Sequence, residues 1–175
     1  VAPRMELRID SPNPQHVVGE ILTRGANVML GYYKNPEATA AALDSEGWYH
    51  TGDLGVLDQE GNLYIRGRCK NMLLGSNGQN IYPEEIEDKL NTLPYVMESV
   101  VIQKGEKLHA LIHPDYEEAE KAGLDENALN RQMEENRRML NTMINAYEQI
   151  VSVKLHKEEF EKTPKRSIKR FLYTE

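Results

Sequence analysis

Three short clusters gather the residue types that could do chemistry. In Tyr49-His50-Thr51-Gly52-Asp53-Leu54-Gly55 a single carboxylate stands between two glycines. A carboxylate only accepts hydrogen bonds and can take two at once, which suits the vicinal hydroxyls of a ribose. Glycine lets the backbone come close to a ligand. In isolation Asp53 also reads as a turn or cap residue, and His50 as a structural histidine. The second cluster is Arg66-Gly67-Arg68-Cys69-Lys70-Asn71, followed by Gly75-Ser76-Asn77-Gly78-Gln79-Asn80. Guanidinium groups around a glycine can meet a phosphate or ribose, or can simply end a charged strand. The small polar loop suits close backbone approach or an ordinary connection. Nothing near Cys69 marks it as a nucleophile, and it reads as a plain buried or half-buried thiol. The third cluster is Thr163-Pro164-Lys165-Arg166-Ser167-Ile168-Lys169-Arg170. A flexible lysine can neutralise a phosphate in transfer. The same run also reads as a solvated surface.

These clusters need elements to position them. Gly19–Thr23 and Gly52–Leu57 read as strands, and Asp58–Asn62 as a turn into the alternating strand Leu63–Arg66. Between them Asn35 can cap a short Ala-rich helix, with Pro36 in its first turn. After residue 70 the loop precedes Tyr82-Pro83-Glu84-Glu85-Ile86, a helix start by its proline and early acids. Strands Ser99–Gln103 and Leu108–His113 follow. Residues 114–149 read as a long helical region, capped by Asp125, with an apolar stripe of Leu129, Met133, Leu140, Met143/Ile144 and Tyr147. Ile150–Leu155 is a last strand before the basic tail. The fold class is α+β, with a β-rich piece first and a small sheet carrying helices after it. The simplest boundary lies near Arg68–Asn71.

Composition narrows the function classes. The 175 residues carry 21 Lys plus Arg against 28 Asp plus Glu, a net charge of −7. That argues against a nucleic-acid binder, which would want a basic excess. One cysteine excludes a disulfide framework or a Cys-based zinc site. No stretch approaches the roughly 20 apolar residues of a membrane helix. No phosphate loop of the G-x-x-x-x-G-K type and no G-x-G-x-x-G is present.

The order of the motifs says more than any one of them. Gly19-Glu20-Ile21, Gly31–Thr39, Gly47–Gly55, Gly61–Arg68 and Ser76–Glu87 follow one another along nearly the whole chain. This series resembles the C-terminal third of the AMP-forming acyl-CoA synthetases, within the adenylate-forming superfamily. The Ser76-Asn77-Gly78-Gln79-Asn80-Ile81-Tyr82-Pro83-Glu84-Glu85 form resembles most the long-chain fatty-acid CoA ligases. The resemblance implies a fragment of a longer enzyme. Residues 1–69 would be the β-rich end of the large N-terminal domain, and 70–175 the mobile C-terminal domain. The phosphate loop and acyl pocket would lie upstream, so the fragment alone is expected to be inactive.

The implied reaction has two halves, with ATP and CoA as co-substrates and Mg2+ offsetting phosphate charge in the first. A carboxylic acid, by the resemblance a fatty acid, becomes an acyl-adenylate, and CoA thiol then displaces AMP. Asp53 would bind the ribose hydroxyls and Arg68 the ribose or phosphate. Lys70 would be the hinge about which the small domain turns. Ser76, Asn77 and Gly78 would line the CoA channel in the second half. Lys169 is taken as the adenylation lysine. A gapless match to the long-chain pattern instead sets Ser167 at that position, and Lys165 is a further candidate. The implied partner is the N-terminal domain of the same chain, and the implied location is the cytoplasm, with a peripheral membrane association left open. The alternatives are an adenylation enzyme that loads a carrier protein or amino acid, and a non-catalytic interaction module.

Overall fold

The computed structural model describes residues 4–174. They form two compact units, divided between Asn71 and Met72.

The first unit is a four-stranded antiparallel sheet in the order β1 (Met5–Asp10), β2 (Gly19–Gly25), β3 (Tyr49–Leu57) and β4 (Leu63–Arg68). The helix α1 (Pro36–Ala42) lies between β2 and β3 in sequence. Its start is as expected: the Asn35 side chain accepts from the Ala38 amide at 3.0 Å, and Pro36 occupies the first turn. The β3–β4 hairpin closes through Asp58, whose carboxylate accepts from the Glu60 and Asn62 amides at 2.9 and 2.8 Å. Ile9, Ile21, Leu22, Trp48 and Leu54 form the buried apolar set. The guanidinium groups of Arg8 and Arg24 lie 4.7 and 4.4 Å from the Trp48 ring centroid, so the indole is covered by cations that keep their own polar tips near water.

The second unit opens with a small antiparallel pair, β5 (Leu73–Leu74) and β6 (Asn80–Ile81), then α2 (Pro83–Leu90). A three-stranded sheet follows, ordered β7 (Val96–Lys104), β8 (Lys107–Pro114) and β9 (Ile150–Leu155). β7 and β8 are antiparallel around Gly105, which has φ 61°. β8 and β9 are parallel, and parallel neighbours need a long crossover. The helices α3 (Tyr116–Lys121) and α4 (Glu126–Met143) supply it.

The sheet buries both faces. Val101 joins Ile86, Leu90, Ala110, Leu129, Met133, Leu140 and Ile150 in the larger core, while its neighbours Val100 and Ile102 pack with Phe160 in the smaller one. That alternation is the two-residue period of a strand. Each fully buried Leu or Ile contributes about 1.5–3 kcal/mol.

The expected single helical region over 114–149 is two helices and a 3-10 turn. Gly123, at φ 73°, ends the first helix, and the Asp125 side chain starts the second by accepting from the Ala128 amide at 2.6 Å. Leu129, Met133 and Leu140 are buried as the stripe predicts. Met143 and Tyr147 are exposed, because α4 stops at Met143 and the stripe loses its helix there. A polar residue, Asn136, fills the intervening core position and donates to the Pro94 carbonyl at 2.8 Å. Among the described residues no helix is long and apolar enough to cross a membrane.

Candidate functional site

In the first unit Asp53 and Arg68 are register partners across β3 and β4. Arg68 Nε lies 2.9 Å from Asp53 Oδ1, with both side chains partly exposed. The turn that presents Asp53 is held from below. Glu20 accepts from the Gly52 amide at 2.9 Å through Oε1 and meets His50 Nδ1 at 2.8 Å through Oε2. Thr51 Oγ1 donates to the Ile21 carbonyl at 2.7 Å and accepts from the Asp53 amide at 3.1 Å. Gly52 has φ 72°, a conformation that L side chains rarely adopt. One carboxylate on β2 thus fixes both the histidine and the left-handed backbone before Asp53. Sequence reasoning named His50 and Asp53 but missed Glu20 and Thr51. The local hint was a charge between the buried Gly19 and Ile21, but the residues Glu20 braces lie 30 and 32 positions on.

The two glycines beside Asp53 do different things. A Cβ on Gly55 would sit 2.8 Å from the Tyr64 carbonyl oxygen and 3.0 Å from Ile21 Cδ1. Gly55 therefore serves strand packing, at the bulge in the β3–β4 ladder. Cys69 is half-buried, and burial pushes its thiol up, away from the thiolate a nucleophile needs. Lys70 is exposed in the 3-10 turn Cys69–Asn71 that ends the first unit.

In the second unit Ser76, Asn77 and Gly78 form the exposed tip between β5 and β6. Gly75 donates to the Gln79 carbonyl at 2.8 Å, and Gly78 to the Gly75 carbonyl at 2.9 Å. Gly78 has φ 75° and open space where a Cβ would stand. Its need for glycine comes from the turn.

The basic tail is only partly the solvated surface that its composition suggests. Lys165 and Arg166 are exposed. Lys162 pairs with Glu98 at 2.7 Å, and Lys169 Nζ with Glu161 at 2.9 Å. Arg170 turns inward: its Nη1 donates to Glu87 Oε1 at 2.7 Å and its Nη2 reaches Glu87 Oε2. The structure does not bring Lys165 and Lys169 into one cluster with a shared partner. Among the described residues no three or more His, Cys, Asp or Glu side chains are grouped to hold a metal ion.

Two features define the class: a mixed α+β unit with a Tyr-Pro-Glu-Glu helix start, and an antiparallel unit that presents a Thr-Gly-Asp turn. Residues 70–175 match the family model described as the AMP-binding enzyme C-terminal domain. The chain belongs to that family, within the adenylate-forming superfamily. A methyl-dioxo-octahydroindenyl-propanoyl:CoA ligase of Rhodococcus jostii (strain RHA1) is 50% identical over 100 residues, 57% of this chain and 18% of that protein. The structure of O-succinylbenzoate coenzyme A synthetase from Bacillus subtilis, in complex with AMP, matches at TM-score 0.75 and 26% identity. It covers 99% of this chain and 34% of that one. The adenylation domain of a carboxylate reductase from Mycobacterium chelonae matches in fold at TM-score 0.83 and 23% identity, over 98% of this chain and 29% of its own. The chain thus spans well under half the length of these relatives.

Proposed function

We propose that this chain is the C-terminal part of an ATP-dependent, AMP-forming acyl-CoA synthetase, with residues 1–69 ending its large domain and 70–175 forming its mobile one. The observation that carries the reading is the Asp53–Arg68 pair on its braced turn. A carboxylate offers roughly four acceptor positions, so one guanidinium does not exhaust Asp53, and ribose hydroxyls can share it. Arg68, half exposed beside it, supplies donors for ribose or phosphate oxygens. Lys169 neutralises charge on the α-phosphate as the acid attacks, releasing pyrophosphate and leaving acyl-adenylate. Lys70 is the hinge residue. Ser76, Asn77 and Gly78 line the CoA path in the second half, where the thiol displaces AMP and forms the thioester.

The acid is proposed first as a carboxylic acid, and more finely as a long-chain fatty acid on the Ser76–Glu85 form. The relatives' names give the test panel its other members. The experiment uses the full-length polypeptide. Acid-dependent pyrophosphate release and CoA-dependent thioester formation are followed separately with palmitate, an indenyl-propanoic acid and succinylbenzoate. Release with palmitate alone supports the finer reading, and release with either ring acid alone removes it. Adenylation that needs a carrier protein instead of CoA moves the chain to the carrier-loading class. No release with any acid tried favours an interaction module.

A further inference from the structure

The segment from Glu158 to Thr174 has no ladder to hold it: its regular structure is one isolated bridge, Lys162 to Ile168, and the 3-10 turn Arg170–Leu172. Besides the Lys162–Glu98 pair at 2.7 Å, two anchors fix it instead. Phe160 is buried against Val100 and Ile102, with Tyr173 edge-on to its ring, and the Tyr173 hydroxyl accepts from the Glu161 amide at 2.8 Å. The other anchor is Arg170. Its guanidinium meets both oxygens of Glu87 and approaches Glu84 at 3.9 Å. Glu87 lies on α2, 83 residues earlier, and is 6% exposed. It also accepts from the Val101 amide at 2.5 Å. β7 is an edge strand, so that amide faces away from the ladder and would otherwise lack a strand partner. One carboxylate therefore caps the sheet edge and clasps the tail.

Lys169 is the residue before Arg170. Its backbone amide donates to the Glu161 carbonyl at 2.8 Å, so the main chain is tied on both sides. Its ammonium pairs with the Glu161 carboxylate, the two side chains being 34% and 64% exposed. Such a pair contributes little and is readily exchanged for another anion. The backbone is pinned by a buried fork and the charge is left releasable.

We propose that Glu87 and Arg170 are positioning residues for adenylation, a latch that holds the 161–169 segment so that Lys169 can exchange Glu161 for a phosphate; this rests on the assignment of Lys169 above. Neither residue touches substrate. A bidentate guanidinium–carboxylate pair fixes direction as well as distance, and a displacement of about 1 Å at a reacting group can cost about a hundredfold in rate.

The test compares Glu87→Gln, Arg170→Lys and Lys169→Ala in the full-length polypeptide. Pyrophosphate release, thioester formation from supplied acyl-adenylate, and deuterium uptake across residues 160–174 are measured together. For the two latch variants the expected result is kcat for pyrophosphate release down about 10- to 100-fold with KM for ATP nearly unchanged. Uptake over 161–169 should rise, and the thioester half should persist. Raised uptake with normal pyrophosphate release overturns the latch's role, as does lost release with uptake unchanged. Loss of both halves also overturns it, because the pair would then be supporting the whole unit. If Lys169→Ala releases pyrophosphate normally, the lysine assignment fails instead, and the uptake data still report whether the pair holds the segment.

Discussion

The molecule uses the same two functional groups, a carboxylate and a guanidinium, in opposite surroundings. Asp53 and Arg68 sit side by side on neighbouring strands of the first unit, 33% and 54% exposed. Glu87 and Arg170 of the second unit are 8% and 17% exposed in their side chains. An exposed pair gains about 0–1 kcal/mol, because water competes for both partners. A buried pair costs several kcal/mol per ion to desolvate, so breaking it leaves an unpaired charge with no solvent to return to. The first arrangement keeps its donors and acceptors on offer to a ligand. The second spends them on holding the chain.

Removing one partner from each pair is the most direct way to break this contrast. Arg170→Ala is expected to destabilise the second unit by about 3–5 kcal/mol, read as a shift of the far-UV circular dichroism transition in urea. Trp48, the one tryptophan of the chain, is buried in the first unit, and its fluorescence transition should stay in place. Equal shifts of both signals would mean that the units do not unfold separately.

Titration is the next strongest lever. Burial pushes the Glu87 carboxyl up to about 7, against the pull of Arg170 and the Val101 amide. Its folded value is raised above its unfolded one, so its contribution is fully present below about pH 4.5 and is lost as pH rises through about 7. Stability of the second unit should therefore fall as pH rises through about 7, because ionising the buried carboxyl costs more in desolvation than Arg170 and the Val101 amide return. Glu87→Gln should flatten that slope. A slope that survives in the variant assigns it to another group.

Asp53→Ala should do the reverse of Arg170→Ala. Its effect on unfolding is expected within about 1 kcal/mol, while KM for ATP in the full-length polypeptide rises about 10- to 100-fold through lost charged hydrogen bonds. Gly52→Ala puts a Cβ on backbone at φ 72°. It should cost about 1–2 kcal/mol in the Trp48 transition and weaken ATP use in step, because the turn carries Asp53. The smallest effect belongs to Lys169→Ala, whose stability change is expected below about 1 kcal/mol even though pyrophosphate release falls.

How far the sequence could be read follows the same division. Elements with local signals were legible: the Asn35-Pro36 helix start, the Asp58 turn, and the alternation of Leu63–Arg66. Asp53 and Arg68 were legible because their motifs are contiguous. The strand Met5–Asp10 alternates Met5, Leu7 and Ile9 with charged residues, a signal the motif-led reading does not use, and only Ile9 of the three is buried. The break at Gly123 was missed because one glycine in an acidic stretch does not announce whether a helix ends or bends. Arg170 was grouped with its basic neighbours, and nothing local distinguishes it from Lys165. Its partner lies 83 residues away, and burial at that separation is a property of the folded chain. Glu20 was invisible as a brace for a similar reason, since its contacts are to residues 30 and 32 positions on.

The long span between Glu87 and Arg170 also has a meaning during synthesis. At about 5–20 residues per second, the ribosome needs on the order of ten seconds after making Glu87 before Arg170 exists. During that interval α2 can form and the β7–β8 hairpin can pair, β9 can join only once Leu155 is made, and the clasp must wait for Arg170. A nascent chain at that stage carries an uncovered sheet edge and a naked apolar face, the features on which chaperones and misfolding both act. Glu87 can already meet the Val101 amide on the β7 edge at that stage, but its second partner, Arg170, arrives only with the last segment.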